Sequence, residues 1–262
     1  MHLATRPPHV SLSLHVRACE CQGQVILLDL RRGRYVGVGR SASAALSRRV
    51  RGWPATAEFI GPSPATPAAG AVDSLVQRLI AQGLLTRKLT ARAADIAIPP
   101  ADASPEVPEL WGLAEDVELG VRRITRFLGS AARAAWWLRF RSLEAIGQAL
   151  TARRNRHLHP HAAMPAPPAA PTAATAPTSL AAMQAAALAY ERLRPFVFTS
   201  HQKCLYDSLA LIDFLAGEKL FPHWVIGVKT APFGAHAWVQ CGSTVLNDHI
   251  EHVRRYRRIL VA

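Results

Sequence analysis

The stretch WVIGVKTAPFGAHAWVQCGSTVLND, residues 224–248, determines the fold of the C-terminal part of the chain. It holds three apolar runs with strand composition, separated by segments that contain Gly, Pro or Ser. This alternation predicts an antiparallel meander. The predicted strands are 224–229, 236–240 and 244–247.

The second hairpin of this meander brings a histidine and a carboxylate together. If Cys241-Gly242-Ser243 is its tip, His236 and Asp248 face each other across the hairpin, with Cβ atoms roughly 5 Å apart. The same register pairs Trp238 with Leu246, so we expect this face to be buried. A carboxylate opposite an imidazole fixes its tautomer and stabilises the imidazolium.

Two predicted helices precede the meander. The first covers Leu180–Leu193, and the second begins at Thr199 or Ser200 and ends at Gly217. Cys204 then falls in the first turns of the second helix, where unpaired N–H groups and the helix dipole favour a thiolate. A single cysteine on an apolar helix is more often a small core residue. A catalytic interpretation therefore depends on the cysteine, the histidine and the carboxylate together.

Cys204, His236 and Asp248 are the set that a cysteine acyl-transfer enzyme requires. In such an enzyme the imidazole deprotonates the thiol, and the carboxylate orients the imidazole. The backbone N–H of Cys204 and the side-chain amide of Gln202 are candidate donors to a developing oxyanion.

Asp207 lies three residues after the candidate nucleophile, so one turn of helix places it near Cys204. A carboxylate there would oppose the thiolate. We expect Asp207 to point towards solvent or to pair with Lys203 or His201.

The composition limits the class of protein. The chain has 262 residues and a mass of 28.5 kDa, and half of its residues are hydrophobic, so it can bury one large core or two smaller ones. The net charge of +13 favours nucleic acid, an anionic membrane or an acidic peptide as partner, although Arg- and Ala-rich composition is equally typical of GC-rich genomes. Four cysteines are too few for a disulfide framework. Because neither a signal peptide nor a membrane-spanning run is recognisable, we predict a cytoplasmic, reduced protein.

Residues 1–90 predict a small N-terminal domain with a short sheet and helices. Two strands, Val25–Leu30 and Tyr35–Val38, flank a turn at Arg31–Arg34. The predicted helices run from Ser41 or Ser43 to about Val50, and from a cap at Asp73 to Gly83.

Two short motifs in this domain resemble ligand-binding patterns. Residues 37–42 match G-x-G-x-x-A, but they follow a hairpin and precede a helix that runs into a proline-rich loop, so we interpret them as turn glycines. Cys19-x-Cys21 is too closely spaced for a zinc pair. The other candidate ligands lack the spacing of a zinc site; they are Cys204, Cys241, His249 and His252. The sequence therefore predicts no metal site.

The middle of the chain divides into three segments. Residues 91–109 contain four prolines and predict a linker. Residues 110–156 predict helices broken near Gly129-Ser130; their Trp and Phe side chains indicate either a membrane-surface helix or a pair of core helices, and we favour core helices. Residues 157–178 are low in complexity, and their alternating histidines are more typical of a solvated loop than of a metal site. These histidines are His157, His159 and His161.

The C-terminal motifs resemble a known family. The segments CLYDSLAL (204–211), WVIGV (224–228), PFGAHAWV (232–239) and VLND (245–248) are similar to those of the transglutaminase-like cysteine peptidases of lasso-peptide biosynthesis, the B proteins of the microcin J25-processing type. His-Ala-Trp-Val followed by a hairpin and Asp is the most specific element. The resemblance covers about residues 180–262 and implies a transglutaminase-like, papain-like α+β domain over 179–262.

This resemblance implies a leader peptidase. Cys204, His236 and Asp248 correspond to the family's catalytic triad, and the implied reaction is hydrolysis of the leader–core bond of a ribosomally made precursor peptide. The freed core then passes to an asparagine-synthetase-like macrolactam synthetase. No cofactor is implied; ATP is expected for the synthetase, and a requirement for ATP by this chain is left open. Nucleic acid is not expected as a partner, and weak association with a membrane surface stays open.

Some members of this family carry a fused leader-recognition domain similar to PqqD, the small chaperone of pyrroloquinoline quinone synthesis. Residues 1–90 have its order of a short sheet followed by helices, in a winged-helix-like arrangement. The leader would bind as a strand added along Tyr35–Val38, with the helix 73–82 lining the groove. The implied leader-binding residues are Arg34, Tyr35, Val36, Val38, Leu75 and Leu79. The arginines at 31, 32 and 34 either attract acidic leader residues or form a solvated hairpin tip.

Two other functions stay open at the level of sequence. An amidase or acyltransferase with the same triad forms the same acyl-enzyme, and added amines would distinguish it from a peptidase. A non-catalytic basic protein that binds peptide or nucleic acid would hold Cys204 as a core residue. Binding to DNA or anionic vesicles with a steep salt dependence would favour that function.

Overall fold

The computed structural model of the chain describes residues 10–54, 69–88, 96–103, 120–158, 177–197 and 203–262. The chain divides into two compact units. The first comprises Met1–Asp95 with Val228–Gly234 and Arg257–Ile259; the second comprises Ile96–Gly227, Ala235–Tyr256 and Leu260–Ala262. Both helices and sheets are present, so the chain is a mixed α+β protein, as predicted.

Within residues 10–54 and 69–88, the first unit contains two small sheets and two helices. The strands are β1 (Val10–Leu12), β2 (Val16–Cys21), β3 (Gln24–Asp29), β4 (Arg34–Val38), β5 (Val50–Arg51) and β6 (Leu85–Thr86). The helices are α1 (Arg40–Ser47) and α2 (Ala69–Ala81). One sheet has the order β5-β1-β6 and the other the order β2-β3-β4. Their apolar faces share a core with α1 and α2 that is built on side chains such as Val25, Leu27, Leu46 and Leu79.

The predicted hairpin of β3 and β4 is present. Leu27 lies opposite Val36 and Asp29 opposite Arg34. The turn between the strands is fixed by buried Asp29, whose Oδ1 accepts hydrogen bonds from the backbone N–H groups of Arg31 and Arg32. Among the strands that the structure describes, β4 lies at one edge of its sheet.

Both predicted helix caps in this unit are wrong. The N-cap of α1 is Gly39, and the hydroxyl of Ser43 lies inside the helix, where it donates to the carbonyl of Val38. Helix α2 begins at Ala69, before Asp73, and Asp73 forms an ion pair with Arg49. Neither side chain caps its helix. Ser43 bonds a backbone carbonyl and Asp73 bonds an arginine, instead of the N–H groups of the first turn.

The predicted leader-binding residues differ in exposure. Val38 and Leu79 are buried members of the core. Tyr35, Val36 and Leu75 are half-buried, and Arg34 is exposed. A ligand could therefore contact the four half-buried or exposed side chains and the backbone of β4, but not the two buried ones.

The described residues from 96 onward contain four long helices and a meander. The helices are α3 (Val121–Phe140), α4 (Leu143–Leu158), α5 (Pro177–Leu193) and α6 (Cys204–Gly217), followed by the short α7 (Ile250–Val253). The strands are β7 (His223–Thr230), β8 (Phe233–Cys241), β9 (Thr244–Val245) and β10 (Arg257–Val261), in the sheet order β10-β7-β8-β9. None of the helices in the described part of the chain is long and apolar enough to cross a membrane.

Helix α3 differs from the prediction in two ways. It continues through Gly129, and the break between α3 and α4 comes later, at residues 141–142. Only one of its faces is core, through residues such as Phe127 and Ala134. The core interpretation is wrong for Trp136 and Phe140, which are 48% and 66% exposed.

Helix α6 is the centre of the second unit. Every residue from Asp207 to Ala216 is buried, as expected of a helix that is apolar on all sides. Arg133 of α3 and Arg153 of α4 both pair with its buried Asp213, at 3.4 and 2.9 Å. Part of the chain's positive charge is therefore used to hold α3 and α4 against α6.

The sheet is packed tightly beside the predicted site. A Cβ at Gly227 would lie 2.8 Å from both the ring of Trp238 and the Cβ of Tyr256, so only glycine fits between them. Residues 96–103, inside the predicted linker, lie along β9, where the N–H of Val245 donates to the carbonyl of Ala103 at 2.9 Å. This part of the predicted linker is therefore a packed extended segment.

Candidate active site

Cys204 is the first residue of α6. The N-cap is Lys203, whose side chain makes no capping hydrogen bond, and the first helical bond runs from the N–H of Asp207 to the carbonyl of Lys203. The predicted caps Thr199 and Ser200 lie outside the described residues. The expected position in the first turn is confirmed, and the half-buried thiol lies at the end of α6 where the first N–H groups of a helix have no partner within the helix.

The hairpin that carries His236 has a register one residue away from the predicted one. Cys241 pairs with Thr244, so the loop has two central residues, Gly242 and Ser243. The N–H of Leu246 donates to the carbonyl of Val239 at 2.9 Å, so the predicted Trp238–Leu246 pair is wrong. Gly242 has a φ of +56°, which suits a tight two-residue loop.

His236 and Asp248 nevertheless meet, because the chain leaves the ladder after β9. The Oδ1 of Asn247 accepts from the N–H of Val239 at 2.8 Å in place of a further backbone pair. The bend at 246–248 then turns the carboxylate of Asp248 onto Nε2 of His236. The Oδ1 of Asp248 is held in turn by the N–H of His249 at 2.7 Å.

The three predicted catalytic side chains are electrostatically coupled. Burial raises the pKa of the Cys204 thiol, but the hydrogen bond to His236, the N–H of Ala237, the charge of His236 and the N–H of Leu205 lower it by more, so the net pKa lies below the ordinary value. Since Nε2 of His236 is engaged by Asp248, its Nδ1 is the nitrogen left for the thiol.

The pKa values of the His236 imidazole and the Asp248 carboxylate shift in opposite directions. Burial lowers the pKa of His236, but hydrogen bonds and charge from Asp248 and Cys204 outweigh it and raise the pKa to about 9. Burial raises the pKa of Asp248, and hydrogen bonds from His236, His252 and the N–H of His249 bring it below the ordinary value. At neutral pH these directions favour a thiolate–imidazolium pair beside an ionised carboxylate.

A buried aromatic face supports the imidazole. The ring of His236 is stacked on that of Trp238, with centroids 6.1 Å apart, and lies 5.2 Å from that of Tyr256. Trp238 is 1% exposed, so the prediction that this face is buried is confirmed. Such packing limits the rotation of the imidazole between the thiol and the carboxylate.

Asp207 does not oppose the thiolate in the way that its spacing suggested. Its Oδ1 accepts from the hydroxyl of Tyr190 at 3.0 Å, and its Oδ2 lies 3.5 Å from Arg194 and accepts from Asn247 at 3.3 Å. The expectation that Asp207 points towards solvent is therefore wrong, since it is buried with these partners, whereas the alternative partner His201 lies outside the described residues. Burial raises the pKa of Asp207, and Arg194, Asn247 and Tyr190 offset part of that shift. The residue ties α6 to the bend that carries Asp248.

We expect Asp207→Ala to destabilise the protein by about 2–4 kcal/mol, because it leaves a buried hydroxyl, an amide and a guanidinium without their common acceptor. Asp207→Asn retains the shape of the side chain and one oxygen acceptor, so it should lose less stability than Asp207→Ala. Urea unfolding of both variants measures the difference. Equal stability of Asp207→Ala and the wild type would contradict the structural role.

The remaining candidate site residues are Gln202 and the considered zinc ligands. Gln202, the candidate oxyanion donor, lies outside the described residues. Of the considered zinc ligands, His252 joins His236 and Asp248, whereas buried Cys241 lies at the end of β8 and His249 is exposed. The i,i+4 spacing of Asp248 and His252 is the sequence signal that would have found this contact, once a helix was recognised at 250–253.

Two comparisons with known proteins found a match to part of the chain. Residues 142–261 match the family model of the transglutaminase-like superfamily, which covers somewhat less than half of the chain and begins upstream of the predicted 179–262. A stretch of 45 residues is 47% identical to the microcin J25-processing protein McjB of Escherichia coli. That match spans 17% of this chain and 22% of the relative, or about a fifth of its length. No solved structure matches the chain. The α+β chain thus contains a transglutaminase-like domain at 142–261.

Proposed function

We propose that this protein is a cysteine peptidase that removes the leader from a ribosomally synthesised lasso-peptide precursor. The observation that carries the proposal is the convergence of Cys204, His236 and Asp248 inside the transglutaminase-like domain, with the thiol shifted towards thiolate and the imidazole towards imidazolium. The similarity to a microcin-processing protein supports the substrate class.

Each residue has a distinct part in the proposed reaction. The Cys204 thiolate attacks the carbonyl of the leader–core bond, and the backbone N–H of Cys204 is the candidate donor to the oxyanion that develops. His236 gives its Nδ1 proton to the leaving core amine. Water then attacks the thioester with His236 as base, and the leader is released as a carboxylic acid. Asp248 holds the imidazole in position throughout.

The first unit provides a surface for the leader. We propose that the leader pairs with β4 as an added strand, since β4 lies at an edge of the described sheet and backbone pairing needs no particular sequence. Exposed Arg34 and half-buried Tyr35 and Val36 would supply selectivity, together with half-buried Leu75 of α2, which packs against the same core as Val36. The proposed partner of the released core is an asparagine-synthetase-like macrolactam synthetase; no cofactor is proposed for the cleavage step itself.

The test is incubation with the precursor peptide encoded beside the gene, followed by mass spectrometry, with and without the synthetase and ATP. Hydrolysis gives one cut, and the leader gains a carboxylate. Repeating the reaction with an excess of a primary amine distinguishes the alternative acyltransferase, because a transferase would give a leader amide. No cut under any of these conditions would contradict the peptidase proposal.

We expect a bell-shaped dependence of kcat/KM on pH. The reactive ion pair requires Cys204 to be ionised and His236 to be protonated, so it exists above the lowered pKa of the thiol and below the raised pKa of the imidazole. Activity should therefore rise at a pH below the ordinary pKa of a thiol and fall near pH 9, with both limbs belonging to the coupled pair. Activity that is still rising above about pH 10 would contradict the ion-pair assignment.

A further inference from the structure

Asp248 has two imidazole partners, and the proposed mechanism uses only one of them. Nδ1 of His252 lies 2.9 Å from Oδ2 and 3.2 Å from Oδ1 of Asp248. The rings of His236 and His252 approach to 4.5 Å between centroids. One donor atom from each of the three residues lies within 4.8 Å of the other two. Two imidazole nitrogens and a carboxylate oxygen thus converge on one side of the triad.

We propose that His236, Asp248 and His252 form a binding site for Zn²⁺, and that the ion inhibits the enzyme. Two histidines and a carboxylate are a donor set that binds zinc tetrahedrally and leaves a fourth position for water. Bonds of about 2.0–2.2 Å hold tetrahedral ligands roughly 3.3 Å apart, so the distances between the donors must change by up to about 1.5 Å. His252 can make that adjustment, because its side chain is 44% exposed and lies on the short helix α7.

Features around the cluster favour a bound ion. The exposed edge of His252 gives an ion a path from solvent, whereas the side chains of His236 and Asp248 are only 12% and 14% exposed. The N–H of His249 fixes Oδ1 of Asp248, which is the kind of outer contact that orients a ligating carboxylate. Tyr256 packs against both imidazoles, with centroids 5.2 and 5.4 Å away, and limits their rotation.

Inhibition follows from the proton that the ion replaces. Zn²⁺ binds Nε2 of His236 only after that nitrogen loses its proton, so imidazolium becomes a metal-bound neutral imidazole and one H⁺ is released. The N–H left at Nδ1 is a much weaker acid than imidazolium and no longer protonates the leaving amine. Asp248 is occupied by the ion at the same time. Inhibition rests on the proposed function, whereas binding of the ion does not.

Zinc commonly inhibits thiol enzymes through the thiolate, so the test must remove that ligand. Tag-free Cys204→Ala is titrated calorimetrically with ZnCl₂, and one ion per chain should bind. Adding His252→Ala should weaken binding at least tenfold, as expected for the loss of one of three ligands. His249→Ala is the matched control, because His249 is exposed, lies three residues away and is outside the cluster.

Each outcome decides the proposal. Binding that disappears in Cys204→Ala, or that His252→Ala leaves unchanged, would overturn it and assign the ion to the thiol or to the histidines at 157, 159 and 161. Reversal of zinc inhibition of the wild-type protein by EDTA, together with the affinity loss, would support it. A wild-type protein that cleaves no peptide but shows the predicted titration would contradict only the proposed function.

Discussion

Cys204→Ala is expected to reduce cleavage of the precursor on the order of 10⁴-fold or more, because removing the nucleophile leaves only binding and oxyanion stabilisation. The thiol is half-buried at the surface end of α6, so the truncation removes few contacts, and the variant should fold and bind the leader as the wild type does. Single-turnover cleavage followed by mass spectrometry measures the loss, and circular dichroism checks the fold.

Cys19 supplies the matched control. Burial raises the pKa of its thiol to about 12, so it stays protonated and unreactive at neutral pH. Cys19→Ala should therefore keep its cleavage rate, and iodoacetamide at pH 7 should label Cys204 well before Cys19. A Cys204→Ala protein that still cleaves the precursor at a wild-type rate would remove Cys204 from the mechanism.

The parts of the site that sequence predicts are those that depend on local pattern. The apolar runs of 224–248 predict three strands, and the apolar helix before them places Cys204 at a helix start; the structure confirms both. His236 and Asp248 meet as predicted, but the predicted register of their hairpin is wrong by one residue. A shift of one residue normally sends a side chain to the opposite face, and here the bend at Asn247 compensates for it.

The parts that sequence missed depend on contacts between distant residues. Asp207 takes Arg194 and Tyr190 of the preceding helical segment as partners, and neither is adjacent to it in the sequence. The last strand, β10, adds to β7 through reciprocal 2.9 Å bonds between Trp224 and Ala262, a pairing that short-range periodicity does not reveal. The contact between His252 and Asp248 is not predicted from the sequence because α7, which brings them together, is only four residues long.

The structure also limits how the positive charge is to be interpreted. Glu218 binds Arg123 and Arg126, at 3.3 and 2.9 Å, and buried Asp213 takes two further arginines. These cations are partly neutralised by the fold, so net charge alone is a weak argument for nucleic acid as the partner. Near the β3–β4 turn, Arg32 likewise pairs with Asp29 at 3.2 Å, and an acidic leader would instead meet exposed Arg34 on β4.

Substitution of Asp248 should cause the second-largest loss of activity. Two substitutions separate the role of its charge from that of its hydrogen-bonding geometry. Asp248→Ala removes the group that orients Nε2 of His236, so we expect a loss in kcat/KM on the order of 10³- to 10⁴-fold. Asp248→Asn keeps a hydrogen-bonding oxygen, as in peptidases that use Cys-His-Asn, and should lose less. Steady-state kinetics on both variants, with Glu251→Gln as an exposed acidic control on α7, measures this order.

The pH profile of Asp248→Asn tests the physical cause directly. The carboxylate helps to raise the pKa of His236 to about 9, so its neutral replacement should lower that pKa. Since the ion pair is lost above the pKa of the imidazolium, the alkaline limb must move to lower pH, and the range of active pH must narrow from that side. An unchanged alkaline limb would mean that another group controls it. Glu251→Gln should leave the limb in place, because Glu251 is 79% exposed and its charge is screened by solvent.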